Sequence, residues 1–144
     1  MTALESPDQH APIGSRLAID AIDHIVLTVR DVDATRRFYV EMLGMREETF
    51  GDGRVALHFG TQKINLHVVG AERNPHAAAA TPGSTDLCLL TRSPIEGVLH
   101  ELKAHDLPVE QGPVKRAGAS GELLSVYVRD PDGNLIEIAN QLES

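Results

Sequence analysis

The stretch from Glu122 to Ala139, ELLSVYVRDPDGNLIEIA, decides how this chain folds. ELLSVYVR (122–129) and NLIEIA (134–139) are rich in β-branched and apolar residues and predict two strands. Between them DPDG (130–133) puts Pro131 and Gly133 where a type I turn needs them. Working outward, TDLCLLT (85–91) predicts a strand, and SPIE (93–96) predicts a helix start. There Ser93 is the expected cap, Pro94 the first helical residue and Glu96 the closing side of a capping box. Ile95, Val98, Leu99 and Leu102 carry the helix towards Asp106, and a short strand is expected around 107–111. This half of the chain therefore reads β-α-β-β-β.

The first half has the same order. AIDHIVLTV (21–29) predicts a strand with Ile22, His24, Val26 and Thr28 on one face and Asp23, Ile25, Leu27 and Val29 on the other. RDVDATRRFYVEMLGM follows as a helix, capped by Asp31 or Asp33, striped by Phe38, Met42 and Leu43, and closed at Gly44. Strands are expected over 45–50, 54–60 and 62–69, separated by GDG (51–53) and GTQ (60–62). GAERNPHAAAATPGS (70–84) has no apolar alternation and reads as a connector. The expected organisation is a mobile arm over 1–20, module one over 21–70, a linker over 71–84 and module two over 85–142. An offset of 62 sets His24 on Asp86, and an offset of 70 sets Leu66-His67-Val68 on Ile136-Glu137-Ile138. A competing register aligns Asp23 with Asp86 and would reverse the faces.

At 144 residues one domain is expected, and the single Cys88 cannot form an internal disulfide. A formal charge of −8 disfavours nucleic acid as a partner. No run approaches the roughly 18 apolar residues of a membrane span, and MTALESPDQHAP lacks the pattern of a secretory leader. A soluble, cytoplasmic protein without membrane association is the expectation.

Each module carries an ionisable residue in its first strand (His24, Asp86) and another in its last (His67, Glu137). Burying such groups among apolar neighbours is costly unless they are paired or bound to an ion. Two imidazoles with one or two carboxylates would suit a divalent transition metal with positions left open for substrate. Each has an ordinary alternative: a strand cap for Asp86, an edge position for His24, a solvent face for Glu137, and a hydrogen bond to the linker for His67. Arg116, in a stretch read as a Gly-rich loop, GPVKRAGASG (112–121), is a candidate for holding an anionic substrate group. Cys88 lies on the Asp86 face and reads as an inert thiol, while His58 reads as a core or edge histidine.

The duplicated β-α-β-β-β order, DHIVLTVRDVDATRRFYVEMLGM and the closing VRDPDGNLIEIAN resemble the vicinal oxygen chelate superfamily of glyoxalases, bleomycin-resistance proteins and extradiol dioxygenases. FGTQKINLHVVG, PGSTDLCLLT and GPVKRAGASGELLSVYVRDPDGNLIEIAN resemble, within it, glyoxalase domain-containing protein 5 and its bacterial relatives. The resemblance implies an α+β fold whose tandem βαβββ modules curl mixed sheet around a cleft, commonly in a homodimer. It implies metal ligands at His24 and Glu137. Where the family's second module usually has a histidine this chain has Asp86, so either Asp86 or His67 must complete the set; the expected ligands are His24, His67 and Glu137, with Asp86 as a fourth ligand or as the group that orients them. The implied cofactor is a divalent ion (Ni, Zn, Mn or Fe), with Glu137 as catalytic base and Asp86 in reserve. The implied activity is that of a lactoylglutathione-lyase-like lyase or isomerase, which stabilises an enediolate of a small substrate. An iron-dependent extradiol-type dioxygenase and a non-catalytic drug- or toxin-sequestering protein are the alternatives.

Overall fold

The computed structural model describes residues 14–143. The expected arm lies largely outside them; of it, residues 14–20 are irregular and exposed. Module one comprises β1 (His24–Val29), α1 (Val32–Arg36) running into a π-helical turn (Arg37–Met42), β2 (Arg46–Phe50), β3 (Arg54–Phe59) and β4 (Gln62–Val68). Module two comprises β5 (Asp86–Leu90), α2 (Ile95–Ala104), β6 (Gln111–Gly118), β7 (Gly121–Arg129) and β8 (Leu135–Gln141). Each module folds its strands into one four-stranded mixed sheet, ordered β1-β4-β3-β2 and β5-β8-β7-β6. The first strand of each pairs in parallel with the last, and the other neighbours are antiparallel. This is the glyoxalase-like α+β fold.

Local chemistry explains most of these elements. Asp31 caps α1, its Oδ1 accepting from the Ala34 amide at 3.1 Å. The Leu43 amide then reaches five residues back to the Phe38 carbonyl at 3.1 Å, which widens the helix into a π turn. Consecutive residues Phe38 and Tyr39 both end up buried, their rings edge to face at 4.8 Å. Two expectations need correction. Pro94, not Ser93, is the cap of α2, no side chain caps it, and Ile95 is its first residue. GPVKRAGASG is mostly strand rather than loop, because β6 starts at Gln111, four residues beyond the expected Leu107. A bulge between Gln111 and Val114 starts that strand. Gly112 permits it: at φ +109° its Cα passes so close to β7 that a Cβ would sit 2.4 Å from the Ser125 carbonyl oxygen.

The apolar faces of both sheets and both helices share one core, including Leu27, Val29, Ile64, Tyr39, Val98, Val126 and Ile136. A polar knot ties the modules beside it. Tyr39 donates its hydroxyl proton to Asp130 Oδ2 at 2.7 Å, and the Asn134 side-chain amide donates to the same oxygen at 2.8 Å. Asp130 Oδ1 accepts from the amides of Asp132 and Asn134, each at 2.9 Å, which shapes the DPDG turn. Asn134 Oδ1 in turn accepts the Thr85 amide at 2.8 Å, anchoring the start of β5. The turn read from sequence as a hairpin device is thus also the fastening between modules.

Candidate functional site

Strand alternation sends the polar residues of each sheet to the face turned from the shared core. In module one that face carries His24, Val26 and Thr28 on β1 beside Lys63, Asn65 and His67 on β4. In module two it carries Asp86, Cys88 and Leu90 on β5 beside Leu135, Glu137 and Ala139 on β8.

The pairing decides which residues correspond. His24 lies opposite Lys63 and Val26 opposite Asn65; Asp86 lies opposite Leu135 and Cys88 opposite Glu137. Placing His24 on Asp86 therefore places Asn65 on Glu137, an offset of 72 where 70 was expected. His67 falls on Ala139. Asn65 is the residue that sequence reasoning missed, although Ile64-Asn65-Leu66 against Ile136-Glu137-Ile138 was a legible signal. The Asn65 side chain is buried, and its Oδ1 accepts no hydrogen bond.

His24 is held in a way that suits a ligand. Its Nδ1 lies 2.8 Å from Asp23 Oδ2, which leaves Nε2 directed outward on a half-exposed ring. Glu137 is held similarly: the buried Ser125 donates its hydroxyl proton to Oε2 at 2.6 Å, which leaves Oε1 available. His67 is different. It is 7% exposed, its Nδ1 has no partner, and burial together with the nearby Arg54 guanidinium holds its pKa below the usual imidazole range. His67 and His24 share a face but stand four residues apart along paired strands, roughly 13 Å at about 3.3 Å per residue. That is too far for one ion bonded at about 2 Å to each. Asp86 is on the Glu137 face, one diagonal step away and exposed. A single chain thus does not gather His24, His67, Asp86 and Glu137 in one place. Among the described residues no three His, Cys, Asp or Glu side chains are close enough to hold an ion.

Beside Glu137 lies a cavity of about 400 Å³ lined by Cys88, Arg116, Leu123, Tyr127 and Gln141, among others. Burial and the neighbouring Glu137 carboxylate push the Cys88 thiol up to about 11. The Cys88 residue as a whole is solvent-exposed, yet iodoacetamide is expected to alkylate it at pH 8 far more slowly than a thiol of ordinary pKa, because little thiolate is present. Glu137→Gln should speed alkylation severalfold by removing the like charge; an unchanged rate would show that burial alone sets the pKa. His58 is occupied elsewhere, its Nε2 lying 2.6 Å from Glu48.

The model of the Glyoxalase/Bleomycin resistance protein/Dioxygenase superfamily matches residues 21–138. The chain belongs to that superfamily. It is 52% identical over 124 residues to virulence protein STM3117 of Salmonella typhimurium, covering 86% of each chain. The crystal structure of that protein superposes with a TM-score of 0.86 over 88% of this chain and all of the other. Glyoxalase domain-containing protein RDO1 of Mycosarcoma maydis is 49% identical over 125 residues, 87% of this chain and 70% of that protein. Lactoylglutathione lyase from Agrobacterium tumefaciens is 25% identical with a TM-score of 0.67, covering 85% of this chain and 94% of that one. These relatives establish the superfamily without singling out the group of glyoxalase domain-containing protein 5. No helix among the described residues is long and apolar enough to cross a membrane.

Proposed function

We propose that the chain is a metal-dependent lyase or isomerase of the glyoxalase type, with its site assembled between two copies. One observation carries this reading. The strand registers put a pair of donor residues at the corresponding place of each sheet, His24 with Asn65 and Asp86 with Glu137, and a hydrogen bond orients one member of each pair, leaving Nε2 of His24 and Oε1 of Glu137 free. Neither sheet offers a full ligand set, so the two halves fit a divalent ion only when module one of one copy faces module two of another. His24 and Asn65 would then hold the ion from one side, and Asp86 and Glu137 from the other. When bound, such an ion supplies Lewis acidity to neighbouring oxygens of the substrate.

The remaining work falls to the side chains. Glu137 takes a proton from a carbon beside a carbonyl and returns it to the adjacent carbon. Ser125 keeps Oε2 engaged, so that Oε1 carries the proton. Asp23 fixes the tautomer and ring orientation of His24.

Mixing variants tests the arrangement. Wild-type protein dialysed against Ni²⁺ should retain the ion and exchange the α-protons of dihydroxyacetone with solvent deuterium. His24→Ala and Glu137→Gln should each lose the ion alone and recover it when unfolded, mixed and refolded together, because a mixed dimer contains one intact site. Failure of the mixture to recover the ion would place the site within one chain. Failure of the wild type to retain any ion, with stoichiometric ligand binding instead, would move the protein to the sequestering class. Oxygen uptake with an Fe²⁺-loaded protein and catechol would move it to the dioxygenases.

A further inference from the structure

Arg116 is fixed in the Glu137 cavity by neutral groups alone. On β6 it lies opposite Leu123, yet its side chain runs along β7 to Tyr127, whose own partner on β6 is Gln111. Its Nε donates to the Tyr127 hydroxyl at 3.0 Å, and its guanidinium carbon stands 5.5 Å from the centre of the Tyr127 ring. One Nη1 proton goes to the Lys115 carbonyl at 3.1 Å. Two protons on Nη2 and one on Nη1 remain, and among the described residues no carboxylate forms an ion pair with this guanidinium. Other basic side chains nearby are already engaged: Arg129 by Glu110 at 2.9 Å and Lys115 by Glu122 at 3.9 Å.

A chain with a formal charge of −8 repels anions at long range, so an anionic ligand needs a local cation that no acid of the protein has taken. Arg116 meets that condition. It is also pre-oriented, because Tyr127 holds the fork before any ligand arrives. The guanidinium lies against Tyr127, which pairs with Glu137 on the neighbouring strand. Adjacent strands are about 4.8 Å apart. A carboxylate gripped by Arg116 thus leaves its next carbon within reach of Glu137. The cavity, about 400 Å³, is near the lower end of small-molecule sites and suits a compound of a few carbons.

We infer that Arg116, braced by Tyr127, is a carboxylate clamp and that the substrate class is a small acid whose hydroxyl-bearing carbon lies between the carboxylate and a carbonyl, so that the proton Glu137 takes from that carbon returns to the carbonyl carbon. The inference rests on the reading of Glu137 as the base for its choice of reacting carbon, while the clamp itself stands without a metal. Calorimetric titration of lactate and of uncharged lactamide into chelator-treated protein separates the two. Lactate is expected to bind saturably and lactamide not at all. Arg116→Gln should weaken lactate binding at least about tenfold, the scale of a lost charge-assisted pair. Arg116→Lys should restore part of it, since the charge returns without the fork, and Tyr127→Phe should weaken it by a smaller factor with the melting temperature unchanged. Equal affinity of wild type and Arg116→Gln, equal binding of lactamide, or no saturable lactate binding by wild type would each overturn the clamp. Lactate binding that depends on Arg116 in a protein that retains no ion would keep the clamp and remove the metal-dependent reading.

Discussion

Asp130→Ala is expected to destabilise the protein by about 4 kcal/mol or more, at the top of the range for single substitutions. The carboxylate is 5% exposed and accepts four hydrogen bonds, from the Tyr39 hydroxyl, the Asn134 side chain and two backbone amides. Alanine would strand all four donors, and buried donors without acceptors lose their solvation for nothing in return. The damage spreads beyond the turn, because Asn134 also anchors Thr85 and Tyr39 sits at the centre of module one's core. Tyr39→Phe removes a single donor and should cost about 1–2 kcal/mol. Asp130→Asn should fall between them, since its amide group would meet the donor of Asn134 or Tyr39 head on. Urea denaturation read by circular dichroism gives the order. A cost for Asp130→Ala no larger than for Tyr39→Phe would mean that the knot does not fasten the modules.

Glu137→Gln is expected to lower proton exchange by protein supplied with Ni²⁺ at least about a thousandfold, because it removes the base and a ligand of the ion together. Glutamine keeps the volume and can still engage Ser125, so the fold and the cavity should survive. What disappears is the negative oxygen on the side of the carboxylate away from Ser125. Ser125→Ala should cost less, about ten- to a hundredfold in ion affinity, because it loosens the carboxylate without removing its charge. The Ser125 hydroxyl is buried and donates at 2.6 Å, so its removal also frees Oε2 to wander. Deuterium incorporation followed by proton NMR measures the first effect, and competition with a chelator measures the second. If Ser125→Ala lost as much exchange as Glu137→Gln, the hydroxyl would belong to the proton path and Glu137 would not act alone.

The elements of this fold were largely legible because their signals are local. Asp31 capping α1, the apolar runs of β4 and β8 and the DPDG turn each depend on residues within a few positions of one another. The misreadings have equally specific causes. Gly112 and Pro113 looked like loop residues because a bulged strand start uses the same residue types as a loop. Ser93 looked like a cap because Ser-Pro commonly starts a helix, yet the first turn of α2 takes no side-chain partner. The π turn at Arg37–Met42 left no mark at all, since one extra residue in a helical turn changes hydrogen bonding before it changes composition.

The candidate site divides along the same line. Composition and alternation by themselves marked His24, His67, Asp86 and Glu137, because an ionisable residue within a strand is visible in one dimension, and Arg116 stood out as a charge in a Gly-rich stretch. They also implied a duplicated βαβββ scaffold. Only the tertiary structure decided that Asn65 rather than His67 corresponds to Glu137, and that Tyr127 and Ser125 brace Arg116 and Glu137. Strand register sets these relations through hydrogen bonds between segments far apart in the chain. A shift of two residues keeps every side chain on its face, so periodicity cannot detect it, yet it moves a ligand by about 7 Å along the sheet.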